Sequence, residues 1–337
     1  MECNKEIGSL TTFGVQAKAR YFSMYSNTDV LTTILRGFRK KEASLPVMIL
    51  GGGSNLLFKS DFNGLIIKNI SKGIQLKDED NSSWYVVAKA GENWNDLVLY
   101  CLEKGWMGLE NLSLIPGSAG AAPIQNIGAY GVEIKDFFHS LKAWHLKKEK
   151  EYFFQHSACR FGYRNSIFKQ EYKGEFAITE IEFKLPKRWI PKTSYGAIEQ
   201  ELDTMGIASP TPKDISNAVI RIRKSKLPDP AQIGNAGSFF KNPVIPVDVL
   251  DRLKADHEIP SYPAENGFAK IPAAWLVEQC GWKGFRKGDA GVHERQALVL
   301  VNYGKATGHD IYELALAIRQ SVLEKFSMEL EMEVNVI

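Results

Sequence analysis

Pro46-Val47-Met48-Ile49-Leu50-Gly51-Gly52-Gly53-Ser54-Asn55-Leu56-Leu57-Phe58 is the stretch whose reading decides the fold. Pro46 to Leu50 reads as a buried strand, and it runs directly into three glycines. With no Cβ at those positions, backbone N–H groups can approach an anion closely. A glycine triplet by itself is as readily a tight turn, so the type rests on what comes next. A Rossmann or P-loop cradle opens a helix, and a P-loop adds Gly-Lys-Ser/Thr. Here Leu56-Leu57-Phe58 passes through Asn63-Gly64 into Leu65-Ile66-Ile67, which reads as more strand. Gly51, Gly52, Gly53, Ser54 and Asn55 therefore form a candidate pyrophosphate cradle between strands, with no helix dipole behind it.

A second glycine-rich run occupies Asn111-Leu112-Ser113-Leu114-Ile115-Pro116-Gly117-Ser118-Ala119-Gly120-Ala121-Ala122-Pro123 and continues as Ile124-Gln125-Asn126-Ile127-Gly128-Ala129-Tyr130-Gly131. Small residues on this scale let a large flat ligand lie against the backbone, and Gln125 and Asn126 can hydrogen-bond its edge. A cluster of turns explains part of such a run. A loop this long is usually functional.

Composition narrows the class. The chain has 337 residues, enough for two or three domains, with ordinary apolar and charged shares of 44% and 24%. Its formal net charge of +3 is spread along the sequence, without the basic aromatic face of a nucleic-acid binder. Residues Met1 to Lys5 lack the apolar run of a signal peptide, and no stretch approaches the ~20 apolar residues of a membrane helix. Cys3, Cys101, Cys159 and Cys280 lie far apart with no C-x-x-C pair, which favours reduced thiols in the cytoplasm. The six histidines are scattered, and His293-Glu294-Arg295-Gln296-Ala297 lacks the second His of a zinc helix, so no metal is expected.

Three regions are expected, 1–70, 71–205 and 206–337, in a mixed α+β chain. In the second, Trp84 to Ala90 reads as a strand and Trp94 to Lys104 as a helix. Trp94, Leu97, Val98, Cys101 and Leu102 share one helix face, and Gly105 stands at the C′ position. Phe176 to Leu185 is the clearest later strand. In the third, Thr211 as N-cap, Pro212 at N1 and Asp214 at N3 announce a helix to about Lys224. Pro272 to Gln279 and Asp310 to Phe326 read as helices, and Ala297 to Val301 and Glu329 to Val336 as strands.

The two glycine loops resemble the FAD-binding fold of the vanillyl-alcohol-oxidase type, over about Gly8 to Leu185. The resemblance implies a flavin and its pyrophosphate held between two small α+β lobes, contacted by Gly51 to Asn55, Pro116, Gly117, Gly120, Gln125, Asn126, Gly128, Ala129, Tyr130 and Gly131. Many members tether the flavin to a His near the first loop. The first His here is His139, so a non-covalent FAD is expected.

Phe161-Gly162-Tyr163-Arg164-Asn165-Ser166, Lys226-Leu227-Pro228-Asp229-Pro230, Asn235-Ala236-Gly237-Ser238-Phe239-Phe240-Lys241-Asn242-Pro243 and Leu330-Glu331-Met332-Glu333-Val334 carry a closer likeness. Together and in this order they resemble the UDP-N-acetylenolpyruvoylglucosamine reductase family, from Thr12-Phe13-Gly14 to the C-terminus. The family implies a C-terminal α/β substrate-binding domain. Its reaction uses FAD and NADPH to make UDP-N-acetylmuramate for peptidoglycan. The resemblance further implies a bacterial cytoplasmic enzyme, a monomer, with small-molecule partners only.

The implied chemistry needs these residue types. Hydride addition to an enol ether bearing a carboxylate builds extra negative charge on that carboxylate, which a fixed cation and a proton-sharing group must stabilise. By resemblance Arg164 is the cation, Glu333 the proton-sharing carboxyl, and Ser238 the donor of a proton to the neighbouring carbon. Each has a plainer reading: Arg164 as a surface ion pair, Ser238 as a turn hydroxyl, and Glu329, Glu331 and Glu333 as the wet face of a strand. Periodicity does not separate the glutamates. The family motif points to Glu333, with Glu331 the fallback. Arg221, Arg223, Lys224 and Lys226 sit at a helix C-terminus, where the dipole favours cations. The resemblance assigns Lys226, Tyr195 and Asn242 to a diphosphate, Tyr262 to a lid, and Arg223 and Gln296 to further substrate contacts. Two rivals remain at this point: another flavoprotein of the same fold, such as an oxidase, and a non-catalytic sugar-nucleotide binder.

Overall fold

A computed structural model describes all residues, 1–337, and its contacts gather the chain into two compact units. The first comprises Met1–Lys5, Ala19–Gly53 and Asn63–Ser225; the second comprises Glu6–Lys18, Ser54–Phe62 and Lys226–Ile337. Helix Pro212–Lys226 belongs to the first unit up to Ser225, its last residue opening the final segment of the second. No helix is long and apolar enough to cross a membrane.

In the first unit a four-stranded sheet runs in the order Glu2–Glu6, Lys18–Tyr25, Phe62–Asn69, Val47–Leu50. The last two strands are parallel, so residues 51–61, glycine cradle included, are the link between them. Helix Thr28–Arg39 covers this sheet. Asn27 caps it by accepting the Val30 N–H at 3.0 Å, and Leu31, Leu35 and Phe38 form its buried stripe. They pack on Tyr25, Leu65 and Ile67.

A five-stranded antiparallel sheet follows, in the order Lys150–Gln155, Phe138–His145, Phe176–Pro186, Ser83–Lys89, Ile74–Glu79. Helix Trp94–Glu103 lies on it with Trp94, Leu97, Val98 and Cys101 buried, the face the sequence predicts, while Leu102 is only partly covered. Trp94 meets Phe183 edge-on and donates its indole N–H to the Leu112 carbonyl at 2.9 Å, tying helix to loop. Gly105 has φ 74, as a C′ glycine should. Burial pushes the Cys101 and Cys159 thiols up to about 12, so both stay protonated core residues. Helices Gly196–Thr204 and Pro212–Lys226 share a small apolar core of Ile198, Leu202, Ile215 and Val219.

The second unit is built on the sheet Gly234–Ser238, Val299–Asn302, Ala290–Val292, Arg286–Lys287, with helix Gly308–Phe326. Thr307 and Asp310 form a capping box at that helix's start. The early segment 6–18 is woven in: Phe13 is fully buried and meets Phe239 edge-on, while its carbonyl accepts from Asn302 at 3.2 Å. The closing stretch is less regular than the expected strand 329–336. Met332 makes a single bridge with Phe240, and only Asn335–Val336 is a strand, parallel to Leu56–Leu57. The alternation of Glu329 to Val334 reflects burial on one side, not a continuous ladder.

Candidate active site

In the first unit the two glycine loops touch backbone to backbone. A Cβ on Gly52 would stand 2.7 Å from the Gly117 Cα, and one on Gly51 would stand 2.3 Å from the Ser118 hydroxyl. The second loop is pinned in turn. Ala119 and Gly120 donate to the Glu92 and Ala90 carbonyls, and the Gly117 carbonyl accepts from Trp94 at the helix start. Adjacent strips of side-chain-free backbone suit a long flat ligand bearing a pyrophosphate, so these residues fit FAD. Gly52→Ala should force the loops apart at about 1–3 kcal/mol, roughly 10- to 100-fold in flavin affinity. Flavin absorbance per purified chain should fall accordingly while circular dichroism stays unchanged.

Four non-glycine residues here, Leu114, Asn126, Tyr130 and Arg164, adopt the left-handed conformation, with φ between 45° and 58°. Such strain collects where a loop's shape matters to function. Asn126 is fully buried. Its amide donates to Glu133 and the Gly162 carbonyl, both at 2.9 Å, and its carbonyl accepts the Lys135 N–H. Both amide donors are engaged inside the protein, which helps to shape the loop.

Arg164 leans on the same loop. Its guanidinium donates to the Gly128 carbonyl at 2.6 Å and lies over the Tyr163 ring. Arg223, half-buried on helix Pro212–Lys226, donates to the Leu114 carbonyl at 3.2 Å and hydrogen-bonds the Tyr130 hydroxyl. Burial pushes the Arg223 guanidinium down, Tyr130 opposes this, and the charge of nearby Arg164 adds to it. Burial likewise pushes the Tyr130 phenol up, with Arg223 pulling it back. Tyr195, exposed, meets Tyr130 edge-on at 5.5 Å. Two permanent charges thus lie close enough to act on one another in a partly desolvated place. The first unit therefore gathers Tyr130, Arg164, Tyr195 and Arg223. The partnership of Tyr130 with Arg223 has no mark in the sequence.

In the second unit, strand Gly234–Ser238 carries a bulge. Asn235 faces Val301 and Ser238 faces Val299, so one residue is extra. Gly237 takes up the kink with φ 69, and its N–H donates to the Asn235 side chain at 2.9 Å. The bulge turns Ser238 out to solvent between buried Ala236 and buried Phe239 and Phe240. The C-terminal segment lies alongside, with the Glu333 N–H donating to the Phe239 carbonyl and the Lys241 N–H to the Glu331 carbonyl. Glu333 is half-buried; Glu331 is exposed and ion-paired with Lys241. Backbone pairing therefore brings Glu333, not Glu331, beside the serine bulge.

The remaining residues are placed as follows. Gln296 accepts the Leu298 N–H, and the Leu298 carbonyl accepts from Phe239, so Gln296 belongs to the same neighbourhood as Ser238. The Asn242 side-chain oxygen accepts the Ala273 N–H at 2.9 Å at the start of helix Ala273–Gln279. Tyr262 stands exposed on the edge strand Tyr262–Pro263. Lys226 is exposed at the end of its helix. No group of three His, Cys, Asp or Glu side chains is arranged to hold a metal ion.

Comparison with known proteins adds the rest. Residues 24–147 match the model of an FAD binding domain, and residues 229–337 match that of the UDP-N-acetylenolpyruvoylglucosamine reductase C-terminal domain. The UDP-N-acetylenolpyruvoylglucosamine reductase of Chromobacterium violaceum is 49% identical over 96% of this chain and 94% of its own length. That of Burkholderia vietnamiensis is 50% identical over 96% and 93%, and that of Amoebophilus asiaticus 50% over 99% and 98%. The crystal structure of the Thermus caldophilus enzyme shares the fold, with a TM-score of 0.67 at 23% identity over 98% of this chain and 97% of that one. Half of all positions shared along nearly the full length leaves one reading: the chain belongs to the UDP-N-acetylenolpyruvoylglucosamine reductase family.

Proposed function

We propose that this protein reduces the enolpyruvyl ether of UDP-N-acetylglucosamine to UDP-N-acetylmuramate with NADPH, as a cytoplasmic monomer holding FAD non-covalently. The chemistry supplied by bound FAD is carriage of hydride from NADPH to the outer enol-ether carbon, delivered from N5. Arg164 clamps the substrate carboxylate and meets the charge that develops there with a planar, permanently charged donor. Glu333 shares a proton with the same group, which keeps two carboxyls from repelling. Ser238 donates a proton to the neighbouring carbon. Tyr195, Lys226 and Asn242 hold the diphosphate, Arg223 and Gln296 extend the contact, and Tyr262 closes over it.

The observation that carries this reading is the bulge at Gly237, which presents Ser238 outward with Glu333 hydrogen-bonded to the next residue but one along from Gly237. A sugar or alcohol oxidase of the same fold has no use for that pair. The purified protein should be yellow, bleach with NADPH in the absence of air, and recolour when the UDP-linked enolpyruvyl ether is added. Failure of the ether to recolour reduced protein would sink the substrate assignment. Acid precipitation should release the flavin into the supernatant, and colour remaining in the pellet would overturn the non-covalent assignment.

A further inference from the structure

Asn55 closes the glycine-cradle sequence, yet its hydrogen bonds within the second unit go to the C-terminal segment. Its Nδ2 donates to the Glu333 carbonyl at 3.1 Å. Its own carbonyl accepts from Asn335 twice, from the backbone N–H and from Nδ2, both at 3.1 Å. Beyond this pair the segments continue together: the Ile337 N–H donates to the Leu57 carbonyl, and the Lys59 N–H to the Ile337 carbonyl. On its other side Glu333 donates its N–H to Phe239 at 2.8 Å. Its backbone is thus held at both ends, by the strand that carries Ser238 and by Asn55.

We propose that Asn55, held in turn by Asn335, forms an amide clasp that positions Glu333 for the reduction of substrate, making both positioning residues for that step. The proposal rests on the reading of Glu333 as the proton-sharing carboxyl. The Glu333 stretch is neither helix nor ladder. A single bridge at Met332, the bond to Phe239 and the clasp, rather than a regular ladder, set where its backbone lies. A carboxyl displaced by about 1 Å loses a large part of its effect on a transition state.

The experiment is a double-mutant cycle on FAD-saturated holoenzyme, read by anaerobic stopped-flow absorbance. Asn335→Ala removes one side-chain bond and touches no cradle glycine. It should slow flavin reoxidation by the enolpyruvyl substrate about 5- to 10-fold, the effect of one hydrogen bond, and leave reduction by NADPH unchanged. In a Glu333→Gln background, itself severely slowed, Asn335→Ala should add nothing further, because there is no catalytic carboxyl left to position. The same slowing in both backgrounds, accompanied by a lower Tm, would mean a merely structural bond and overturn the clasp. So would wild-type reoxidation by Asn335→Ala while Glu333→Gln is slow. Wild-type reoxidation by Glu333→Gln removes the reading of Glu333 first, and the clasp with it.

Discussion

Ser238→Ala is expected to bleach with NADPH at the wild-type rate and then recolour with the enolpyruvyl substrate at least ~10²- to 10³-fold more slowly, the usual effect of deleting one preorganised transition-state group. The two half-reactions differ in what they ask of the protein. Reduction of flavin by NADPH requires no proton on a carbon, whereas completing the substrate does. The substitution leaves the local fold alone. The bulge is made by Gly237 and by the Asn235 side chain, and the neighbours that anchor it, Phe239 and Phe240, are buried. An exposed hydroxyl takes no part in that packing. Ser238→Cys keeps a donor of similar size and should retain part of the rate. Recolouring of the alanine variant within a few-fold of wild type would remove Ser238 as the acid.

Arg164→Lys should be comparably severe in the same step, by about 10²-fold or more. The arginine gives one guanidinium nitrogen to the Gly128 carbonyl at 2.6 Å, and its planar fork carries several donors at fixed angles. A lysine ammonium cannot hold the loop carbonyl and make a bidentate clamp at once. Backbone strain does not account for the difference, since the left-handed conformation at this position is equally uncomfortable for both residues. Substrate affinity and recolouring rate should fall together, with NADPH bleaching preserved. Normal recolouring would place the carboxylate clamp on another residue.

Features set by neighbouring residues were legible in the sequence, and features set by distant ones were not. The helix from Pro212 was readable because its cap is local: Thr211 and Asp214 exchange hydrogen bonds three residues apart. The amphipathic face from Trp94 was readable for the same reason. Helix Thr28–Arg39 offers the same kind of signal, an asparagine cap before Leu31, Leu35 and Phe38, and is recoverable from it. The strand-like alternation of Glu329 to Val334 overstated regularity, because alternation records burial and carries no information on a partner strand. The choice between Glu331 and Glu333 shows the same limit. Both are two-residue repeats of one pattern, and only the pairing with Lys241 on one side and Phe239 on the other separates them. The protein partners of the Asn126 side chain were not legible, because a buried amide and an exposed one look alike until the partners are visible.

The interleaved make-up of the second unit has a consequence for how the protein is born. Residues 6–18 and 54–62 leave the ribosome early, but their packing partners at Phe239, Asn302, Gly308 and Asn335 are among the last made. At about 5–20 residues per second, roughly 10–30 s pass between synthesis of Phe62 and the arrival of Lys226. During that wait Phe13, Leu57 and Phe58, all buried in the finished molecule, are exposed on a nascent chain. The order in which the segments are made therefore leaves these apolar side chains without their partners until the chain is almost complete.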